Sequence, residues 1–130
     1  MTVVRRTMAA GLCVVGLGLA ACGGSDGGST APGFETVDDA AGATYEYVIP
    51  AGAGEALDAG EPLTVLPGSL TTTVGETIVI VNDDVRGHSV GPWFVGAGET
   101  LRQEFTTAGT FEGVCTVHPS GEFVLEVVDA

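Results

Sequence analysis

A chain of 130 residues is long enough for one small domain with a core of its own. Its formal net charge of −13 arises from 17 acidic against four basic residues, all four of them arginine. Nothing here could neutralise a run of phosphates, so nucleic acid is excluded as a partner.

Arg5 and Arg6 precede a small, apolar run from Met8 to Ala21, too short to span a bilayer comfortably and of the form of a signal peptide's hydrophobic region. The run ends in Leu19-Ala20-Ala21-Cys22, which resembles the lipobox of bacterial lipoproteins. That resemblance implies cleavage before Cys22 and diacylglycerol on its thiol. The protein is then extracytoplasmic and held to the cell membrane through its lipid anchor only. Residues 1–21 become the signal peptide and residues 22–42 a flexible tether, led by the Gly/Ser-rich stretch GGSDGGSTAPG. Residues 43–130 become the folded domain. Cys13 leaves with the signal and Cys22 is acylated, so Cys115 stands without a disulfide partner. An odd thiol in an exported protein asks for a reason, and metal ligation is one. Every acidic residue lies beyond the signal, with only Arg86 and Arg102 among the basic ones. Such a surface suits a basic protein partner, and equally keeps an exported domain soluble.

Beyond Gly33, short β-rich runs alternate with Gly, Pro, Asn and Asp, the pattern of an all-β sandwich or barrel. Tyr45 to Ile49 forms the first strand, closed by Pro50. Ala51 to Gly60 is a loop with room for one helical turn. Leu63 to Leu66 and Ser69 to Val74 are short strands flanking Pro67-Gly68. Thr77 to Val81 is a strongly apolar central strand, stopped by Asn82-Asp83-Asp84. Ser89 to Val95 is a strand that Pro92 bends or confines to an edge. Leu101 to Thr106 turns Leu101, Gln103 and Phe105 to one face. Thr110 to Cys115 turns Phe111, Gly113 and Cys115 inward, and Glu122 to Val128 closes the domain with Phe123, Leu125 and Val127 inward.

His88 follows the loop after the apolar strand, Cys115 ends a later strand and His118 lies on the loop beyond it. Loops at one end of a sandwich can converge. Two imidazoles and one thiolate are the trigonal set of copper electron-transfer sites, with a weak axial ligand as the usual fourth group. Taken singly, Cys115 reads as a buried apolar residue and His88 as a loop histidine.

The ordered set of motifs resembles the cupredoxins, the plastocyanin and amicyanin family of small blue copper proteins. Thr73-Val-Gly-Glu-Thr-Ile-Val-Ile-Val-Asn82-Asp83 resembles the family's strand before its first histidine, and His88-Ser-Val its first ligand. Gly96-Ala-Gly-Glu-Thr-Leu101 and Phe105-Thr-Thr-Ala-Gly109-Thr-Phe111 resemble the hairpin leading to the cysteine strand. Cys115-Thr-Val-His118-Pro119 resembles the ligand loop in its amicyanin form. The resemblance covers about half of the chain. It implies a Greek-key β-sandwich of about 7–8 strands, with copper held by His88, Cys115 and His118. The family's axial methionine is missing: Gly121 follows His118-Pro119-Ser120 directly, and no methionine occurs after Met8. The axial position is then open or filled by oxygen, from the Gly87 carbonyl or the Glu122 carboxylate. Strand parity turns Glu122 away from the buried side, which favours Gly87.

The function this implies is one-electron transfer, not catalysis, to a redox protein with a basic face, of cytochrome or oxidase type. His118, with Trp93 or Phe94 beside it, is the expected edge for electron exit, although a lone Trp in a small sandwich is more often core. Three alternatives stand beside this reading: copper capture or delivery without redox turnover, a metal-free interaction sandwich, and zinc held by the two histidines, Cys115 and Glu122. Two histidines are too few for a multicopper oxidase, and a catalytic Cys-His pair lacks an orienting acid.

Overall fold

The computed structural model describes residues 32–38 and 42–130. The signal segment, Cys22 and the greater part of the expected tether lie outside the described residues. The described chain is all-β apart from one short helix. In order it runs β1 (Phe34–Thr36), β2 (Tyr45–Ile49), α1 (Ala53–Asp58), β3 (Ser69–Thr73), β4 (Thr77–Asn82), β5 (His88–Val90), β6 (Trp93–Val95), β7 (Thr100–Phe105), β8 (Gly109–Val114) and β9 (Glu122–Val128). Among the described residues no helix is long and apolar enough to cross a membrane.

Two sheets form the sandwich, one in the order β1-β7-β4-β2 and the other β3-β9-β8, with β5-β6 as a separate hairpin. Pairing is antiparallel except for β2 with β4 and β3 with β9, which run parallel. The inner faces follow the expected alternation. Leu101, Gln103 and Phe105 of β7 are buried against Phe123, Leu125 and Val127 of β9, with Ile78 and Ile80 of β4 in the same core. Burying such side chains contributes roughly 1.5–3 kcal/mol each, which is what holds the two sheets face to face.

The structure departs from the sequence reading in three places. A strand forms at Phe34–Thr36, inside the segment expected to be tether. The Phe34 ring is buried and meets Trp93, Phe111 and Phe105 at centroid distances of 5.1, 4.7 and 6.0 Å, while its backbone pairs with β7. The expected strand at Leu63–Leu66 does not form. Pro62 and Pro67 bracket it and lack the N–H a ladder needs, and Leu66 is buried as packed loop instead. The single strand expected over Ser89–Val95 is two, β5 and β6, folded back on each other at Gly91-Pro92, where Gly91 has φ +55°. These changes give nine strands among the described residues, where about 7–8 were expected.

Candidate metal centre

The end of the sandwich that carries His88 and Cys115 is assembled by close backbone approach. Val90 and Cys115 form an antiparallel bridge, flanked by the Gly91 N–H to Val114 carbonyl bond at 2.9 Å and the Thr116 N–H to Ser89 carbonyl bond at 3.0 Å. The approach needs glycine: a Cβ on Gly113 would lie 2.2 Å from the Gly91 carbonyl oxygen. His88 stands two residues from the bridged partner of Cys115, on the same buried side of β5. Its ring is 3 % exposed, and Cys115 is fully buried.

The loop that delivers His88 is built by Asn82. Its side-chain amide donates to the carbonyls of Arg86, Val95 and Gly96 at 2.7, 3.2 and 3.0 Å. Its Oδ1 accepts the Asp84 N–H at 3.0 Å, an Asx turn that swings the Asp84 side chain inward. There Asp84 Oδ2 lies 2.8 Å from His88 Nε2 and also accepts the Gly54 N–H at 2.8 Å, while Oδ1 accepts the Gly52 N–H at 3.2 Å. The His88 hydrogen bond, with the backbone donors behind it, holds the Asp84 carboxyl at about 2, so it is a carboxylate at neutral pH. A carboxylate only accepts; His88 therefore donates from Nε2, and its lone pair sits on Nδ1. That nitrogen faces the Thr116 hydroxyl at 3.1 Å.

Cys115 has a thiol pushed up by burial, partly offset by a hydrogen bond from the Val117 backbone N–H. Its own N–H donates to the Gly121 carbonyl at 2.9 Å, which closes the loop 115–121. On that loop the His118 ring is half-buried and packs over Gly68, where a Cβ would be 3.2 Å from the ring's Cε1. His118 Nδ1 accepts the Ser120 N–H at 3.1 Å and lies 2.7 Å from the Ser120 hydroxyl, so its lone pair too is on Nδ1.

The structure thus buries both His88 and Cys115 near the β5–β8 junction, His88 two residues from the bridged partner of Cys115, and leaves His118 engaged with Ser120. Among the described residues no three His, Cys, Asp or Glu side chains converge closely enough to hold a cation. Gly87 lies under the Phe94 ring, whose Cζ is 2.2 Å from where a Cβ would stand. Glu122 is exposed at the start of β9, paired with Val114, as strand parity predicts. Trp93 is core at 2 % exposure, whereas Phe94 is 58 % exposed and is the aromatic at the surface. Asp84 is the residue that sequence reasoning passed over. It read as a strand stop; the only signal was a carboxylate four positions ahead of a histidine.

No protein-family model matches the chain, and no curated protein does. Solved structures do. Amicyanin from Paracoccus versutus is similar at 19 % identity, over 74 % of this chain and 98 % of its own, with a TM-score of 0.47. A purple cupredoxin from Nitrosopumilus maritimus is similar at 24 % identity, over 65 % of this chain and 99 % of its own, with a TM-score of 0.42.

Proposed function

We propose that this domain is a cupredoxin-type copper protein that carries single electrons. The observation that carries the reading is a buried free thiol, Cys115, bridged through its backbone to the strand that carries a buried imidazole, His88, whose Nε2 is held by Asp84 and whose Nδ1 faces only the Thr116 hydroxyl. The donor chemistry fits the metal: thiolate and neutral imidazole are the soft and intermediate donors that copper takes in such sites. Cys115, His88 and His118 would hold it, the last by exchanging the Ser120 hydrogen bond of its Nδ1 for the metal. Copper so held supplies one-electron exchange between two oxidation states. The protein's part is to keep the donors fixed while the charge changes. Asp84 and Asn82 do this for His88, and the Cys115 N–H to Gly121 bond does it for the ligand loop.

With no methionine after Met8, the chain would offer copper no thioether beside Cys115, His88 and His118. Glu122 faces solvent, and we propose an open or carbonyl-oxygen axial site, with Gly87 the nearest candidate in sequence to His88. Of the two aromatics expected near the electron-exit edge, Phe94, packed on Gly87, is the exposed one, and Trp93 is core. The partner we propose is a redox protein with a basic face, and the location is the outer side of the cell membrane, tethered through lipid on Cys22. Loss of the methionine also favours a second reading, copper capture or delivery; a reduction potential outside the reach of respiratory partners would select it.

The test is Cu(II) titration of the wild type beside Cys115→Ser and His88→Ala. Stoichiometric, tight binding that both substitutions abolish supports the reading, and unaltered binding by either variant overturns it. Unchanged circular dichroism separates loss of the ligand from loss of the fold.

A further inference from the structure

We propose that Asp84 is a positioning residue that couples α1 to His88, an inference that rests on the copper reading above. One buried carboxylate makes the first link. Its Oδ2 takes the His88 Nε2–H at 2.8 Å and the Gly54 N–H at 2.8 Å; its Oδ1 takes the Gly52 N–H at 3.2 Å. Its own N–H is held by Asn82. The His88 ring is therefore oriented by an anion whose other contacts lie in the first turn of α1 and the residue before it.

A second link runs parallel to the first. Arg86, two residues before His88, pairs through both terminal nitrogens with Asp58 at the end of α1 and donates to the Gly54 carbonyl at 3.2 Å. Helix and ligand loop are thus joined at both ends of α1, and a displacement of the helix is passed to the carboxylate and on to the ring. Space at the junction is tight. A Cβ on Gly54 would stand 2.6 Å from Arg86 Cδ and 3.0 Å from Asp84 Oδ2. The Arg86 stem is half-exposed and can swing aside, whereas the Asp84 side chain, 1 % exposed, has nowhere to go.

The coupling does two things for the ligand. It fixes the Nε2–H tautomer, so that the lone pair is on Nδ1, and it fixes the plane of the ring. A negative charge held next to the ligand favours Cu(II) over Cu(I), so the carboxylate would hold the reduction potential down.

The experiment compares full-length wild type, Asp84→Asn and Gly54→Ala by nitrogen NMR of the two histidines without metal, and then by Cu(II) affinity and potential. In the wild type His88 is expected as the Nε2–H tautomer. In Asp84→Asn this tautomer loses its dominance, Cu(II) binds about ten- to a hundredfold more weakly and the potential rises, with the His118 signals unmoved. Gly54→Ala, which keeps the carboxylate and suits a helix, is expected to shift the His88 signals in the same direction. If His88 keeps its tautomer and shifts in both variants, the coupling is wrong. If instead the wild type takes up no Cu(II), the copper reading fails, and the NMR comparison still decides the role of Asp84.

Discussion

At the scale of single residues, each side chain around this site is defined by what its neighbours leave it free to do. Cys115 is buried, and burial pushes its thiol up, so a cation beside it would be what favours the thiolate. Glu122 has the opposite setting, exposed on the outer side of β9. Glu122→Gln is therefore expected to leave the potential and its pH dependence close to wild type in copper-loaded protein. A large positive shift with loss of the pH dependence would make Glu122 the axial ligand instead. Glu76 shows what a well-held carboxylate contributes far from the site. It accepts from the Thr72 hydroxyl at 2.6 Å, the Thr73 N–H at 2.8 Å and the Tyr45 hydroxyl at 3.5 Å, closing the turn between β3 and β4. These bonds, the Thr72 hydroxyl first, hold its carboxyl below the ordinary range. The stabilisation is present above the unfolded value and is lost as pH falls through the lower folded one. Glu76→Gln should lower the denaturation midpoint at neutral pH and flatten the acid limb of the stability profile. A variant that kept the wild-type acid limb would show that Glu76 does not supply it.

At the scale of elements, the site depends on how the β5–β6 hairpin seats against β8. The Gly91 and Gly113 backbones touch there, and only that contact lets the Val90–Cys115 bridge form beside His88. Gly113→Ala forces backbone against methyl. Overpacking of this kind costs typically about 1–3 kcal/mol, and here it acts by lifting β5 off β8. The expected result is a lower midpoint in chemical denaturation together with weakened Cu(II) binding; a variant with wild-type stability would show that the hairpin has slack. The same elements show what sequence can and cannot tell. Tyr45–Ile49 and Glu122–Val128 were legible to the residue, because alternation on a half-buried strand is a local signal. Gly91-Pro92 was legible as a bend but not as a hairpin, since the reversal depends on pairing Ser89 with Phe94. β1 was not legible: three residues, Phe-Glu-Thr, become a strand only because β7 offers an edge and the Trp93 and Phe111 rings offer a pocket. His88, Cys115 and His118 stood out by scarcity and order. Asp84 did not, because its burial depends on α1 docking from thirty residues away.

At the scale of the whole molecule, charge sets the working conditions. Beyond the first 22 residues only Arg86 and Arg102 are basic, and Arg86 is committed to Asp58. The field is acidic on balance and would steer a basic partner, if the partner is one, over a distance that salt shortens. Attachment through Cys22 would confine that encounter to the membrane surface. Cys22→Ala is expected to move the protein from the membrane fraction to the soluble one, and a variant that stays with the membranes after a salt wash would contradict lipidation there. The metal is tested most sharply by the visible absorption spectrum during titration of the metal-free protein with Cu(II). An intense thiolate-to-copper charge-transfer band that saturates at one equivalent and is absent in Cys115→Ser is the expected result. Failure of the band to appear in the wild type, or its survival in Cys115→Ser, would contradict the copper reading.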